Sequence, residues 1–338
     1  MSAPREGFTP CEAHAPHEPH TPRVLCVVGP TASGKTALAV SLAKRLGGEV
    51  ISCDSMQIYK ELSIGTAKPT VEEMDGIPHH MIDFVDPREP FSCADYVRAA
   101  TACANDILSR GKLPVFCGGT GLYLDSTIRG TVFSDAPDTD SDVLTALKEE
   151  YARDGIDGIY ARLCEADPDS AAAIHKNNTK RVLRALEIYL VTGKPKSVWD
   201  AESHKAPPVF DACYLGLDFC DRSILHDRIN RRVSLMLDGG LLDEVKRLYA
   251  GGYLPDGSTA AQAIGYKEFL AYLRGEMTLD DAAERLRAAT RQYAKRQLTW
   301  FRRNPAMHWL YPDTAPAGVD TVDYLTEQGC RIFNGAAE

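Results

Sequence analysis

The chain has 338 residues, of which 44% are hydrophobic and 25% charged, and it carries a formal net charge of −9. This length predicts one large domain with an insertion, or two domains, and the composition is that of a globular protein rather than a fibrous or disordered one. The negative charge excludes a general electrostatic attraction to nucleic acid, so binding of a polyanion would require local clusters of basic residues.

The N-terminal residues 1–22 contain five prolines and few apolar side chains, which predicts a disordered tail. Its histidines, His14, His17 and His20, have a spacing that could bind a metal, but a disordered tail is the favoured interpretation. The tail lacks the apolar core of a signal peptide, and no segment approaches the roughly 20 apolar residues of a membrane helix. Ten scattered cysteines without a CxxC pair indicate reduced thiols. We therefore expect a cytoplasmic protein that does not enter a membrane.

Short apolar runs bounded by turn residues predict strands, and helical patterns separate the early ones. The runs cover residues 23–29, 49–54, 113–119, 213–219 and 307–312. Such alternation is typical of a parallel sheet with helices on its faces, in which ligands bind beyond the carboxyl ends of the strands. The predicted fold class is α/β.

The first strand runs into "GPTASGKT" (29–36), which fits the phosphate-binding pattern G-x-x-x-x-G-K-[ST]. A strand before it and a helix after it are the context that this motif requires, so the predicted sheet is P-loop NTPase-like. Backbone N–H groups and the helix N-terminus would surround phosphate oxygens, Lys35 would neutralise charge and the Thr36 hydroxyl would bind Mg²⁺. The predicted phosphate-binding residues are Gly29, Pro30, Thr31, Ala32, Ser33, Gly34, Lys35 and Thr36.

Asp54 directly follows the second predicted strand in "ISCDSMQIYK". A carboxylate at this strand end would share a crevice with the phosphate loop, where it could act as a base or help to hold Mg²⁺. The alternative is an N-cap for the following turn. Proximity to the phosphate loop favours a functional role.

Two further turns carry candidate functional residues. In "CGGTGLYLD" (117–125), the glycines would let the backbone approach a ligand, and Thr120 offers a hydroxyl group; a plain tight turn is the alternative. "PHHMID" (78–83) offers His79, His80 and Asp83 as metal ligands. Adjacent histidines in a strand point to opposite faces, so hydrogen bonding within the structure is favoured for them.

From about residue 134 to 210 the strand patterns stop and helical patterns replace them, which predicts an all-helical insertion in the α/β core. The predicted organisation is a tail over 1–22, a core over 23–133 and 211–312, an insertion over 134–210 and a C-terminal tail over 313–338.

The long C-terminal helix is strongly basic. Leu286, Tyr293, Gln297 and Trp300 fall on one stripe, and the opposite stripe is basic: Arg287, Arg291, Lys295 and Arg302. Between positions 284 and 303 there are seven basic residues and one acidic residue. A polyanion-binding surface is at least as well supported as an ordinary solvated face. Further basic clusters are Lys180, Arg181 and Arg184, and Arg228, Arg231 and Arg232.

Taken together, an ordered series of stretches resembles the tRNA dimethylallyltransferase (tRNA isopentenyltransferase) family. The resemblance covers residues 23–303 and rests on "GPTASGKTALA", "ISCDSMQIYKELSIGTAKPT", "IPHHMIDFVDP", "FSCADY", "GGTGLYL", "RALEIYLVTGKP", "AIGYKEFL" and "TRQYAKRQLTWFRR". It implies transfer of the dimethylallyl group of dimethylallyl diphosphate to N6 of the adenosine 3′ of the anticodon, with diphosphate as the leaving group.

The resemblance also implies roles for individual residues. Asp54 would take or orient the N6 proton, Thr31 through Thr36 would bind the diphosphate with Mg²⁺, and Arg228 would supply a second cation. The helical insertion would hold the tRNA anticodon stem-loop, and a monomer is expected. The residues that would contact tRNA are Asp54, Ser55, Met56, Gln57, Thr120, Lys180, Arg181, Val182, Leu183, Arg184, Gln262, Ala263, Ile264, Gly265, Tyr266 and Lys267.

One position departs from the family pattern, because Cys53 stands where "ISADS" has alanine. An inert small side chain is favoured over a thiol whose modification blocks activity. Three other functions stay open. A phosphate loop with an acid at the second strand also describes metabolite kinases. An isopentenyltransferase acting on free adenine nucleotides would have less need of the basic clusters. An RNA-binding or GTPase-like switch is disfavoured, because no guanine-recognition motif is found.

Overall fold

The five apolar runs of the sequence form strands of one parallel sheet, as predicted, and a sixth short strand completes it. The structure is a computed structural model that describes residues 21–131, 133 and 142–335, without the side chain of His204. The strands are β1 (Arg23–Val28), β2 (Gly48–Cys53), β3 (His79–His80), β4 (Leu113–Gly118), β5 (Asp211–Leu217) and β6 (Met307–Leu310). Their order across the sheet is β3-β2-β4-β1-β5-β6. Only β3 was not predicted, since two residues are too few to show a pattern.

Helices cover both faces of the sheet and continue beyond its edge. They are α1 (Lys35–Leu46), α2 (Val71–Met74), α3 (Cys93–Ser109), α4 (Gly121–Arg129), α5 (Asp142–Asp154), α6 (Ile156–Ala166), α7 (Pro168–Ala173), α8 (Thr179–Thr192), α9 (Lys196–Lys205), α10 (Arg222–Asp238), α11 (Leu241–Ala250), α12 (Lys267–Leu273), α13 (Leu279–Phe301) and α14 (Thr321–Phe333). Short 3₁₀ helices lie at Ala260–Gln262 and Pro312–Thr314. No helix in the described ranges is long and apolar enough to cross a membrane.

The central strands are apolar throughout because both faces of the sheet are covered. In β1, Val24 and Cys26 pack with α3 and α4, whereas Leu25 and Val27 pack with α1 and α14. Alternate residues of one strand therefore serve two separate layers of the core.

The strand order brings together three loops that follow the carboxyl ends of adjacent strands. β4 and β5 flank β1, and β2 flanks β4, so the carboxyl ends of β1, β2 and β4 lie next to one another. The Thr120 N–H donates to the Cys53 carbonyl at 3.0 Å, which joins the turn after β4 to the end of β2. The phosphate loop, Asp54 and the glycine turn thus meet at the edge where parallel sheets bind ligands.

Between α4 and β5 the described residues form helices only, α5 to α9, around a hydrophobic cluster of their own that includes Leu147, Ile159, Leu163 and Val182. Residues 134–141, at the start of the predicted insertion, lie outside the described residues, as does most of the predicted tail 1–22. The domain boundaries themselves remain a prediction.

The C-terminal residues do not form a simple tail. α14 begins at an Asp320 N-cap and packs on α1, where Leu325 is buried and the Thr326 hydroxyl donates to Ser41 Oγ at 2.9 Å. The prediction of a C-terminal tail over 313–338 was wrong in this respect. The segment was assigned by its position outside the resemblance rather than by its own amphipathic pattern.

Candidate active site

The phosphate loop has the backbone geometry that its glycines predict. Gly29 has a φ of 144°, and a side chain there would lie 2.6 Å from the Leu217 carbonyl oxygen, so only glycine fits. Ala32 also has a positive φ, 63°, a strained conformation for alanine that is typical of ligand-binding turns. The Lys35 ammonium group donates to the Pro30 carbonyl at 2.7 Å across the loop. Contacts within the protein therefore hold the conformation of the loop.

A buried hydroxyl group in this loop has no partner within the described structure. Ser33 is 2% exposed, and its Oγ makes no hydrogen bond. Buried polar groups are nearly always satisfied, so an orphan at a phosphate loop indicates a missing ligand group. Thr36, the second residue of α1, lines the adjacent cleft. These two hydroxyl groups fit a diphosphate with its Mg²⁺, although the described residues contain no cluster of His, Cys, Asp or Glu that would hold a metal alone.

Basic side chains surround this cleft, which has a volume of about 730 Å³ and which we call the diphosphate cleft. Burial lowers the pKa of Lys35 to about 8. Arg228 on α10 donates through Nε to the Ala32 carbonyl at 2.8 Å, which holds its guanidinium beside the phosphate loop. Arg232, one turn further along α10, also lines the cleft, and burial lowers its pKa.

The diphosphate cleft adjoins a second cleft, of about 280 Å³, that Asp54 lines. The two clefts share Ala67, Arg232 and Met236 as a common wall. Thr31, in the phosphate loop, lines the second cleft. We call this second cleft the acceptor cleft. A molecule bound through its phosphates in one cleft would face a group held in the other.

Asp54 caps the turn that follows it and also lines the acceptor cleft, so its position is compatible with both interpretations of the sequence. Its Oδ1 accepts hydrogen bonds from the backbone N–H groups of Met56 at 2.8 Å and Gln57 at 3.3 Å, as in a cap of the following turn. The same side chain lines the acceptor cleft. The cap therefore fixes one carboxylate oxygen and orients the group in the cleft.

Thr120, Tyr293 and Gln297 form a hydrogen-bonded group beside Asp54. Thr120 Oγ1 accepts from the Ser55 N–H at 3.1 Å, and the Tyr293 hydroxyl interacts with the side chains of Thr120 and Gln297. Burial, and secondly the Asp54 carboxylate, raise the pKa of Tyr293. The sequence placed Tyr293 only on the stripe of the last helix opposite the basic residues, so its position in the acceptor cleft was missed.

Gln297 connects two loops that lie far apart in the sequence. Its Oε1 accepts from the Thr31 N–H at 2.9 Å, and its Nε2 donates to the Gly119 carbonyl at 3.1 Å. Gln297 is 5% exposed, so both bonds are shielded from water. The side chain fixes the phosphate loop relative to the glycine turn after β4.

The glycines of the turn after β4 leave room for other parts of the protein, whereas the sequence predicted that they would let a ligand approach the backbone. A side chain at Gly119 would lie 1.8 Å from Gln297 Nε2, and one at Gly121 would lie 2.2 Å from the Trp300 ring. At Gly118 it would meet the Cys53 backbone at 2.4 Å. The glycines admit other parts of the protein, chiefly α13, rather than a ligand.

A buried carboxylate orders the wall between the clefts. Glu244, near the start of α11, accepts from the N–H groups of Ser63, Ile64 and Gly65 at 2.9–3.1 Å. It also accepts from the Tyr266 hydroxyl at 2.7 Å. The loop that it holds continues into Thr66 and Ala67, which line the acceptor cleft. No sequence motif pointed to Glu244.

The predicted tRNA-binding segments contain residues that line a cleft or lie at the surface, and residues that make contacts within the protein. Ser55 and Met56 line the acceptor cleft, as do Gln262, Ala263, Ile264 and Lys267. Gln57 instead donates to the Thr66 and Ala67 carbonyls. Gly265 and Tyr266 are buried.

In the insertion, the segment 180–184 divides in the same way. Val182 and Leu183 are buried in its hydrophobic cluster, and Arg184 pairs with Glu187 at 2.8 Å. Lys180 and Arg181 are exposed. The side chains of Val182 and Leu183 therefore support the segment rather than offer a surface.

Three arginines of the basic stripe on α13 have partners within the protein, which the sequence did not show. Arg287 pairs with Glu284 at 2.6 Å, Arg291 donates to Asn230 Oδ1 at 2.7 Å, and Arg302 pairs with Asp218 at 2.8 Å. The stripe lies against α10 and forms one side of a groove.

The paired histidines have structural partners, as the favoured interpretation predicted. A ring nitrogen of His80 lies 2.7 Å from the Glu49 carboxylate, and Nδ1 of His79 lies 2.8 Å from the Ile77 carbonyl oxygen. Asp83 pairs with Lys68. The three candidate metal ligands therefore have different partners.

Cys53 is 1% exposed and accepts a hydrogen bond from the Tyr96 hydroxyl at 3.3 Å. Burial raises the pKa of its thiol, so the reactive thiolate is disfavoured. Both observations support the interpretation of Cys53 as an inert side chain.

Comparison with known proteins identifies the family. The family model described as IPP transferase matches residues 57–304, and that described as isopentenyl transferase matches residues 22–85. The chain belongs to the IPP transferase family. A tRNA dimethylallyltransferase of Acetivibrio thermocellus is 50% identical over 291 residues, which cover 86% of this chain and 92% of that protein.

Solved structures of this family have the same fold. The tRNA isopentenylpyrophosphate transferase of Bacillus halodurans superposes with a TM-score of 0.67 at 42% identity, covering 93% of this chain and 97% of its own. A eukaryotic dimethylallyltransferase acting on tRNA gives a TM-score of 0.75 at 35% identity, covering 86% and 74%. The IPP transferase fold thus extends over nearly all of the described chain.

Proposed function

We propose that the protein transfers a dimethylallyl group from dimethylallyl diphosphate to N6 of the adenosine 3′ of the anticodon in tRNA. The C–O bond to the diphosphate breaks, the N6–C bond forms, and N6 loses a proton. Membership of the IPP transferase family and the names of its relatives support this reaction.

The observation that carries the proposal is the common wall of the two clefts. The diphosphate cleft holds the phosphate loop and Arg228, and the acceptor cleft holds Asp54, with Arg232 reaching both. Such an arrangement places a leaving group on one side and a nucleophile on the other. Holding two reactants in this way removes much of the entropic cost of their encounter.

On the donor side, the residues provide positive charge for the departing diphosphate. Lys35 and Arg228 lie at the phosphate loop, and residues at the start of α1 line the same cleft, where the helix N-terminus favours an anion. Mg²⁺, held with the help of the Thr36 hydroxyl, would add further positive charge against the leaving group when bound. The orphaned Ser33 hydroxyl would bind a phosphate oxygen.

On the acceptor side, Asp54 accepts the proton of N6 or orients the amino group. Oδ1 accepts two backbone hydrogen bonds, so the other oxygen, Oδ2, would interact with the substrate. Thr120 and Tyr293 lie beside it and would orient the adenine. A base in an anticodon loop must leave its stack to enter the cleft, which costs less than in a duplex.

The surrounding surfaces would hold the tRNA. Gln262, Ile264 and Lys267 lie at the acceptor cleft, and Lys180 and Arg181 are exposed on the helical insertion over 134–210. We propose that these two regions contact the anticodon stem-loop, and that the enzyme acts in the cytoplasm as a monomer.

Incubation with Mg²⁺ and labelled dimethylallyl diphosphate would test the proposal. Three acceptors should be offered: an anticodon stem-loop, the same RNA with the target adenosine replaced, and AMP. We expect label in the first RNA only. Label in AMP alone would assign the protein to the modification of free nucleotides. ATP consumption with a metabolite, and no label in any acceptor, would indicate a kinase.

A further inference from the structure

A pocket separate from both clefts lies between the end of α4, the strand β5 and the loop that follows α13. It has a volume of about 360 Å³, which is within the range of small-molecule sites. It shares no lining residue with the diphosphate cleft or the acceptor cleft. Apolar side chains that include Ile128, Pro208, Phe301 and Met307 form much of its wall. We call it the rear pocket.

The topology places the rear pocket away from the proposed reaction. α4 begins beyond the carboxyl end of β4 and ends at Arg129, so it runs back along the sheet. Tyr214 of β5 is paired with Met307, the first residue of β6. The pocket therefore lies toward the amino ends of the strands, whereas the two clefts lie at the loops beyond their carboxyl ends.

Asp125 supplies the pocket with a hydrogen-bond acceptor. Its Oδ2 accepts from the Trp300 indole N–H at 2.7 Å, and no residue in the described ranges donates to its Oδ1. Burial raises the pKa of Asp125, against the opposing effects of the Trp300 bond and the charge of Arg129. A largely buried carboxylate oxygen without a donor is costly, and a ligand N–H group would relieve that cost.

Tyr214 supplies a hydrogen-bond donor beside this acceptor. Its hydroxyl group has no partner within the part of the chain that the structure describes. Burial raises the pKa of Tyr214, and the neighbouring Cys26 and Asp125 add to the effect, so the hydroxyl is protonated and able to donate at neutral pH. The apolar pocket thus contains one acceptor and one donor.

Two arginines give the rear pocket its positive charge. Arg129 and Arg303 are exposed, and neither forms an ion pair with another described residue. The Arg303 guanidinium lies over the Trp300 ring at 5.7 Å, a cation–π contact that limits its motion. Guanidinium groups without a carboxylate partner are well suited to bind a phosphate group.

We infer that the rear pocket binds a free adenine nucleotide, with the base in the apolar interior and the phosphate at Arg129 and Arg303. The N6 amino group would donate to Asp125 Oδ1, and a ring nitrogen would accept from the Tyr214 hydroxyl. Guanine has a carbonyl oxygen where adenine has the amino group, and this acceptor would face the carboxylate. The inference does not depend on which molecule is prenylated in the acceptor cleft.

Calorimetry on the full chain would test the inference, with inorganic diphosphate and Mg²⁺ present to fill the diphosphate cleft. We expect one AMP to bind per chain, and GMP to bind more weakly. Asp125→Asn keeps an oxygen for the Trp300 N–H but offers an amide N–H to the base. It should weaken AMP binding roughly tenfold or more and reduce the preference for AMP over GMP.

Arg129→Gln separates the phosphate contact from the base contact. Since Arg129 is exposed, the variant should fold normally, weaken AMP binding roughly tenfold and leave adenosine binding unchanged. Arg98→Gln is the matched control, because Arg98 is exposed on α3 and lines neither cleft nor the rear pocket. Asp125 and Arg129 do not line the acceptor cleft, so AMP bound there would be unaffected by either change.

Three results would overturn the inference. The first is that the wild type binds no AMP under these conditions. The second is that Asp125→Asn and Arg129→Gln bind AMP as tightly as Arg98→Gln does. The third is that an anticodon stem-loop displaces AMP, which would mean that the site for the nucleotide belongs to the RNA-binding surface. A failure of prenyl transfer to RNA would leave all three measurements decisive.

Discussion

At the scale of single residues, Asp54 is the group on which the proposed chemistry depends most directly. Asp54→Asn keeps an oxygen that can accept from the Met56 and Gln57 N–H groups, so the turn should remain folded. Loss of the carboxylate should reduce the single-turnover rate by about 10²- to 10⁴-fold, the usual contribution of a general base. Rapid-quench kinetics at saturating donor would measure it. A rate near that of wild type would show that Asp54 is not the base.

The lowered pKa of Lys35 leads us to expect that binding of the diphosphate depends on pH. Burial lowers its pKa to about 8, so Lys35 is charged below this pH and becomes neutral above it. An anionic ligand favours the charged form, and affinity for diphosphate should therefore decrease as the pH rises from about 7 to about 9. Lys35→Arg stays charged over this range. Calorimetric titration of both proteins would reveal the difference, and identical pH profiles would contradict the assignment.

At the scale of secondary-structure elements, Gln297 of α13 fixes the position of the phosphate loop relative to the glycine turn after β4. Gln297→Ala would leave the Thr31 N–H and the Gly119 carbonyl without their partner, at a cost of about 1–3 kcal/mol for each buried group left unsatisfied. We expect lower stability in urea and a slower transfer step. Gln292→Ala, at an exposed position of the same helix, is the control. Equal stability of the two variants would count against the connection.

We expect a comparable loss of stability when Glu244, which holds the loop between the two clefts, is replaced. Glu244→Gln replaces an anionic acceptor of four donors by a neutral amide, so the free energy of unfolding should fall by about 1–3 kcal/mol. Chemical denaturation would measure the loss. Glu284→Gln, at an exposed residue of α13, should change stability little. A similar small change in both variants would argue against the role of Glu244.

The sequence predicted those features that depend on neighbouring residues. The phosphate loop was predicted because its residues are contiguous, and five strands were predicted because buried parallel strands are apolar throughout. Glu244 and Gln297 were missed because their function depends on contacts between residues far apart in the chain, such as Thr31 with Gln297. The glycines of 118–121 were interpreted as a ligand turn because a sequence does not reveal which atoms approach a missing side chain.

At the scale of the whole molecule, the C-terminal helix stabilises the face of the sheet opposite α3 and α4. Leu325 of α14 is 3% exposed and belongs to the same hydrophobic cluster as Leu42 of α1 and Val27 of β1. Leu325→Ala should reduce the free energy of unfolding by about 2–5 kcal/mol through lost burial and a cavity. Val319→Ala, at a residue 47% exposed, should have little effect.

The same variant distinguishes a stabilising helix from one that contributes to catalysis. α14 supplies no lining residue to the diphosphate cleft or the acceptor cleft, so the folded fraction of Leu325→Ala should keep the wild-type Kd for dimethylallyl diphosphate. Urea denaturation and calorimetry on one preparation would provide both values. Reduced affinity in fully folded protein would mean that α1 transmits changes from α14 to the phosphate loop at its N-terminus. Unchanged stability would mean that the contact between α14 and α1 contributes little to the fold.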